Sequence, residues 1–396
     1  MTAPAVTRVL RALDAGNVDV RFVGGAVRNA VMNLAVRDVD IATPDIPARV
    51  IERLTAAGLK AVPTGLDHGT VMAVADGGTF EITTLRKDTA CDGRHAAVEF
   101  TADWREDARR RDFTFNAMSM RPDGAVFDDH GGWDDAKAGR VVFVGAPADR
   151  IREDYLRILR LFRFFAWYGR VPLDAATLQA CRDHAAGLDR LSGERVRQEL
   201  SKLLEAPAPF EAVKLMADSG VLARVVPEAR DIAPLKNLVP LEKQGDWLRR
   251  LAVLLPDDGA AQAVADRLKL SNVARGRLAA LTAASTVHER MDPQALRRAL
   301  YHDGAALVTD RALLAWARTP SEAGLWRALL EEAAAWTPKT LPVGGGDVLG
   351  LGVTPGPAVG RLLAAVEDWW IGAGFAPGRG ATLAQLKHWR EQLSDP

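Results

Sequence analysis

The sequence predicts an α+β protein: a mixed-sheet head followed by a body built almost wholly of helices. Three observations carry this. Over residues 1 to about 135, short apolar or β-branched runs alternate with helical periodicity, and glycine-containing turns join them. From about Asp149 onward strand signals largely vanish, and Ala/Leu/Arg-rich helical periodicity takes over. No short-period repeat or low-complexity tail interrupts either part.

The elements follow in order. Val20 to Val23 reads as the first strand, Gly24-Gly25 as a turn, Ala26 to Leu34 as a helix and Asp38 to Ala42 as the second strand. Thr70 to Ala75 and Thr79 to Thr84 flank Asp76-Gly77-Gly78, which predicts a hairpin. Ala117 to Arg121 and Ala125 to Asp128 flank Pro122-Asp123-Gly124, which predicts another. Between the hairpins, Leu85 to Val98 is polar and contains glycine, so a flexible loop is expected. Ile151 to Tyr168 is the clearest helix, with Leu156, Leu159, Phe162, Phe165 and Ala166 on its apolar side. Ser192 to Leu204 is another, with Ser192 as N-cap and Glu194 in the first turn. Pro207-Ala208-Pro209, Pro227 and Pro338 to Pro342 punctuate the helices beyond.

Composition narrows the class. The 396 residues are 48% hydrophobic and 26% charged, enough for two to four structural units of ordinary make-up. Lys plus Arg equals Asp plus Glu at 51 each, which argues against a generally basic coat but leaves room for a local basic groove. Cys91 and Cys181 are too few for a disulfide framework or a cysteine metal site. The start lacks the pattern of a signal peptide, and no apolar run is long enough to span a bilayer. A reducing cytoplasm is the expected compartment, with no membrane partner.

The chemistry concentrates in a few clusters. Asp38 and Asp40 stand two apart, so on a strand both carboxylates face one way and can hold Mg²⁺. Gly24 and Gly25 let backbone N–H groups approach a phosphate. Together they point to metal-assisted nucleotidyl transfer. Arg109-Arg110-Arg111 offers charge for a triphosphate, and Asp112 and Asn116 can bond ribose hydroxyls. On the helix expected at Ile151 to Tyr168, Asp154, Arg157, Arg160 and Arg163 are each three apart and form one slowly drifting stripe. Arginine donates and aspartate accepts, a pattern that fits cytosine and adenine and opposes uracil and guanine. Each mispair leaves buried polar groups unpaired at roughly 1–3 kcal/mol apiece. The bland reading of that stripe is a solvated, salt-bridged helix face.

These segments resemble a known family. Gly24-Gly25-Ala26-Val27-Arg28, Arg37-Asp38-Val39-Asp40, Arg111 through Ala117, Glu153 through Arg157 and Ser192 through Val196 are similar to the five ordered motifs of class II CCA-adding tRNA nucleotidyltransferases and bacterial poly(A) polymerases. The resemblance implies a polymerase-β-like nucleotidyltransferase head at 1–135, a neck recognising the base at 136–205, a helical body at 206–330 and a tail binding tRNA at 331–396. It assigns metal to Asp38 and Asp40, and phosphate contacts to Gly24, Gly25 and Arg28. It places Arg111, Asp112 and Asn116 at the incoming nucleotide, Asp154 and Arg157 at the base, and Arg160 and Arg163 as further contacts. Glu194 and Arg195 match a helix-stabilising motif. Glu81, on the expected strand Thr79 to Thr84, is the candidate third carboxylate; its alternative is an ordinary surface glutamate. Asn29 replaces the family's usual aspartate, and Ala136 the usual leucine of the hinge motif Asp128 to Ala136.

The activity so implied is template-independent addition of C, C and A to tRNA 3′ ends from CTP and ATP with Mg²⁺, releasing pyrophosphate. The partner is RNA rather than DNA. A poly(A) polymerase shares the head but often carries a basic C-terminal extension, whereas this sequence ends Glu391-Gln392-Leu393-Ser394-Asp395-Pro396. An enzyme adding only CC or only A is a variant of the same reading. A non-catalytic RNA-binding module is the alternative from another class, and the intact Asp38 and Asp40 argue against it. Trp369-Trp370 either packs in the core or stacks on RNA. His68, His95 and His130 are not spaced as a metal site.

Overall fold

The computed structural model describes residues 3–14, 18–36, 38–91, 96–320 and 322–392, with the backbone alone for 88–91 and 96–98. Arg37, and Asp92 to His95 of the expected loop, lie outside the described residues. The chain divides into two compact units, residues 1–229 with 266–270, and residues 230–265 with 271–396.

The first unit opens with helix α1 (Pro4–Asp14), strand β1 (Arg21–Val23), α2 (Gly25–Val31), β2 (Asp40–Thr43), α3 (Pro47–Ala56), β3 (Lys60–Gly65), β4 (Thr70–Ala75) and β5 (Gly78–Thr84). It continues with β6 (Arg86–Cys91), β7 (Ala96–Phe100), α4 (Trp104–Arg109), β8 (Ser119–Met120), β9 (Val126–Phe127) and α5 (Gly132–Ala138). Helices then take over: α6 (Pro147–Glu153), α7 (Leu156–Tyr168), α8 (Ala175–His184), α9 (Gly193–Leu204), α10 (Pro209–Asp218) and α11 (Val221–Val225).

A seven-stranded mixed sheet runs in the order β3-β4-β5-β2-β1-β8-β9. Only β2 and β5 pair in parallel; the remaining neighbours are antiparallel. The expected hairpin forms with Ala75 opposite Gly78. Asp76 and Gly77 both take positive φ, 48° and 78°, the twist that two-residue hairpins require. Alternation buries Val71, Ala73, Phe80 and Ile82 on one face, which leaves Glu81 on the other.

Three sequence expectations change. The second strand starts at Asp40, not Asp38: β1 supplies a partner only as far as Val23, opposite Asp40, before Gly24 turns the chain away. Asp38 lies in an exposed bend just ahead of it. The segment expected as a loop at Leu85 to Val98 is instead a two-stranded antiparallel ribbon, β6 with β7. An ion pair between the facing residues Lys87 and Glu99 (3.2 Å) braces its base, so the ribbon needs no apolar alternation to be recognised by. The helix expected across Ile151 to Tyr168 breaks into α6 and α7. Asp154 is extended (φ −153°, ψ 109°), and its side chain accepts the Leu156 N–H at 3.0 Å, a local turn that competes with helix continuation.

α9 begins as expected, with the Ser192 hydroxyl accepting the Arg195 N–H. At α5, Asp128 accepts the N–H groups of Gly132 (2.9 Å) and Trp133 (2.8 Å). Ala136 is fully buried, and Gly132 sits so close that a Cβ there would lie 2.1 Å from the Thr114 carbonyl oxygen. The hinge segment therefore packs tightly with alanine in place of leucine.

The regular secondary structure among the described residues of the second unit is helix. One core gathers Val287, Leu296, Val308 and Ala312 around the stacked Trp316 and Trp326. Another gathers Val343, Val348, Leu362, Val366 and Leu386, with Trp369 packed against it. Trp370 is buried and donates its indole N–H to the Pro377 carbonyl at 2.9 Å, so this tryptophan pair serves the core. Glu242 and Asp310 tie together Arg249, Arg250 and Arg277 in a half-buried to buried ionic network. No helix among the described residues is long and apolar enough to cross a membrane.

Candidate active site

Gly24 closes the turn between β1 and α2 with φ +64° and ψ −130°, a conformation that glycine adopts readily and residues with a side chain rarely do. A Cβ there would lie 3.3 Å from a terminal nitrogen of Arg111 and 3.9 Å from Oδ2 of Asp40. The glycine is thus the meeting point of the acidic strand and the arginine segment.

On the acidic side, Asp40 is the register partner of Glu81 across the parallel strands. Burial pushes the Asp40 carboxyl above its ordinary value; Arg111 opposes this and the charge of Asp38 adds to it. Burial also raises Glu81, helped by the charge of Asp40 and opposed by Arg86. Crowded carboxylates with raised values are groups whose mutual repulsion a cation relieves. Among the described residues, no three His, Cys, Asp or Glu side chains are gathered into a complete metal cage. The donor set of hard oxygens nonetheless suits a divalent ion that keeps water or substrate oxygens as further ligands.

On the other side of Gly24 opens a cleft of about 600 Å³, whose lining includes eight arginines against two aspartates. Neutral overall composition therefore conceals strong local segregation of charge. Gly25, Arg28, Arg111, Asp112 and Asn116 line it from the head, and Asp154, Arg157, Arg160 and Arg163 from the break before α7 and from α7 itself. The break notwithstanding, every residue of the expected stripe reaches the same cleft.

The arginines are held rigidly. Arg28 is buried and bonds neutral oxygens: Asn29 Oδ1 (3.1 and 2.9 Å), Asn116 Oδ1 (2.7 Å) and the Tyr168 hydroxyl (2.9 Å). Its guanidinium also lies over the Tyr168 ring at 4.3 Å, and burial lowers its proton affinity. Asn29 anchors itself by donating to the Ala35 carbonyl at 3.0 Å, so the departure from the family pattern is absorbed locally. Asp112 accepts from its neighbour's N–H (2.9 Å), from Asn116 (3.1 Å) and from Arg160 (2.7 Å). Burial disfavours its charge, but Arg160 and the hydrogen bonds outweigh that and hold the carboxyl below its ordinary value. Arg160 and Arg163 both reach Glu199 on α9. Arg157 bonds Glu153 and the Arg150 carbonyl. Asp154 pairs with Arg195 at 2.7 Å, so Arg195, whose main-chain N–H the Ser192 cap receives, also borders the cleft.

The three consecutive arginines separate. Arg109 is exposed and pairs with Glu106, while Arg110 and Arg111 turn to the cleft and share Asp107. Sequence reasoning missed Asp107, Glu199, Arg150 and Tyr168, and it took Arg86 only as the start of a loop rather than as part of the cleft wall. Asp107 had a signal, three and four residues before its arginines on a helix. Glu199 and Tyr168 act across 36 and 140 residues of chain and had none. Cys181, the described cysteine side chain, is buried and its thiol is pushed up by burial to about 12, which makes it inert.

Oxygen ligands for a divalent cation set against an arginine cleft that suits polyphosphate are what a nucleotidyltransferase needs, and that is the class this fold and site define. Residues 20–142 match the family model described as the poly A polymerase head domain, and residues 171–232 that of the probable RNA and SrmB-binding site of polymerase A. The chain is 34% identical to the mitochondrial CCA tRNA nucleotidyltransferase 1 of Mus musculus, covering 94% of this chain and 87% of the relative. It is 30% identical to the CCA-adding enzyme of Limosilactobacillus fermentum, covering 90% and 89%. The crystal structure of the Bacillus stearothermophilus CCA-adding enzyme in complex with CTP superposes with a TM-score of 0.81 at 27% identity, covering 99% of both chains. The chain belongs to the CCA-adding tRNA nucleotidyltransferase family. Nucleotidyltransferases of this kind generally use a divalent metal.

Proposed function

We propose that the protein adds C, C and A to tRNA 3′ ends from CTP and ATP without a nucleic-acid template. The observation that carries this is the junction at Gly24, where Asp40 on one side and Arg111 on the other converge. An α-phosphate set at that junction would have the carboxylates that could hold a divalent ion on one side and phosphate-binding guanidiniums on the other.

Asp38 and Asp40, with Glu81 as third carboxylate, are the residues to hold Mg²⁺. When bound, such ions activate the attacking hydroxyl and stabilise the departing pyrophosphate. In the reaction the tRNA 3′-oxygen bonds to the α-phosphorus, the bond from that phosphorus to the bridging oxygen breaks, and pyrophosphate leaves. Arg28 and Arg111, with the Gly24-Gly25 backbone, bind the phosphates. Asp112 and Asn116 set the ribose side of the cleft. Asp154 and Arg157 present the acceptor and donor that cytosine and adenine complement, with Arg160 and Arg163 beside them. No protein nucleophile takes part; positioning and charge do the work.

Residues 1–135 are assigned as catalytic head, 136–205 as the neck that reads the base, and 206–330 and 331–396 as body and tail holding tRNA. With two cysteines in the chain, a reducing cytoplasm is the compartment proposed. A second reading, a poly(A) polymerase, draws on the description of the matched head model. The test offers tRNA lacking its 3′ end with CTP, ATP or both, and sequences the products. Ordered C, C, A supports the proposal, and an A-only tract replaces it with the second reading.

A further inference from the structure

Asp107 on α4 is 2% exposed and does not line the cleft, yet one carboxylate collects five N–H groups. Its Oδ1 accepts from Arg110 Nε (2.9 Å) and a terminal nitrogen (2.7 Å), and from the Arg86 main-chain N–H (3.3 Å). Its Oδ2 accepts from Arg111 Nε (3.2 Å) and a terminal nitrogen (3.0 Å). The other terminal nitrogen of Arg111 bonds the Asn116 carbonyl at 3.4 Å and faces Gly24. Arg111 is therefore held from behind by its inner edge, with its outer nitrogen presented to the site.

The alternative partner for that guanidinium is close. Asp40 already feels the charge of Arg111. Without a rear anchor, an arginine flanked by one carboxylate swings toward it. That would neutralise the acidic strand and withdraw the cation from the nucleotide.

We propose that Asp107 is a positioning residue that aims Arg111 at the triphosphate, keeps it off Asp40, and ties the base of the β6–β7 ribbon to the same point. The inference rests on the nucleotide reading of the cleft given above. A carboxylate is required rather than an amide, because an asparagine would turn an N–H₂ group against guanidinium donors.

The test is CTP binding by calorimetry, without tRNA, in the full chain and in Asp107→Asn, Arg111→Gln and the double variant. The result expected is a loss of about tenfold or more for Asp107→Asn that vanishes in the Arg111→Gln background, the mark of two groups acting as a unit. Steady-state incorporation is expected to show the loss mainly in KM for CTP. Asp107→Asn binding like wild type, or a loss that persists undiminished beside Arg111→Gln, overturns the inference. If Asp107→Asn does not fold, Asp107→Glu is used in the same cycle. Binding near wild type, or a loss removed by Arg111→Gln, is then the supporting result, and a loss carried equally into both backgrounds overturns it. Failure of wild type itself to bind CTP strikes the nucleotide reading instead.

Discussion

Asp40 and Glu81 are register partners across the parallel strands β2 and β5, and both carboxyls sit above their ordinary values. For a carboxyl raised by folding, the ionised form costs stability at pH values above the folded value. Protonation removes that cost as pH falls toward the ordinary values of about 4. In metal-free buffer, Asp40→Asn is therefore expected to melt above wild type near pH 7, with the difference closing as the pH falls from the raised folded value toward about 4 and gone below it. Scanning calorimetry across pH measures it.

Addition of Mg²⁺ is expected to reverse that order. Ligand binding to the folded state alone stabilises it by mass action, so wild type gains in melting temperature while Asp40→Asn gains little. A Mg²⁺-dependent rise of equal size in both proteins would remove Asp40 from the metal site.

Arg157 is held by Glu153 and the Arg150 carbonyl at the mouth of α7. Arg157→Ala is expected to raise UTP incorporation relative to CTP by about tenfold, since the lost donor is worth roughly 1–3 kcal/mol of discrimination. Competition assays with labelled CTP and UTP check this. Unchanged discrimination would leave Arg157 with a purely structural role.

Glu199 is almost fully buried and serves Arg160 and Arg163 together. Its removal takes the carboxylate from Arg163, while Arg160 keeps Asp112; breaking a buried ion pair costs about 3–5 kcal/mol. Glu199→Ala is expected to lower urea stability by that amount and to weaken CTP binding, because both arginines line the cleft.

Gly132 leaves no room for a side chain, since a Cβ would lie 2.1 Å from the Thr114 carbonyl oxygen. Gly132→Ala is expected to destabilise by about 1–3 kcal/mol through overpacking. It should also raise KM for nucleotide, because the displaced turn leads into Asn116. Thermal melts and steady-state kinetics read the two effects.

Local chemistry was legible and long-range partnership was not. The Gly24-Gly25 turn, the Asp76-Gly77 hairpin and the Ser192 cap each follow from residues that act on their own neighbours. The strand limit at Asp40 depends on where β1 ends, which Gly24 decides from 16 positions away in sequence. The break at Asp154 was masked by apolar periodicity that continues on both sides of it. The β6–β7 ribbon escaped because it forms a separate two-stranded sheet whose polar, glycine-containing sequence carries no strand alternation. Within the cleft, arginines announced themselves by sequence, whereas the carboxylates that aim them, Asp107 and Glu199, are placed by packing.

The most direct measurement pairs wild type with Asp38→Ala and Asp40→Asn on tRNA lacking its 3′ end, with CTP, ATP and Mg²⁺, and sequences the products. The result expected is ordered CCA from wild type, and incorporation lowered at least 10²–10³-fold, the order of magnitude of losing transition-state charge stabilisation, in both variants while tRNA binding persists. Substantial CCA addition by either variant would contradict a reaction centred on those carboxylates.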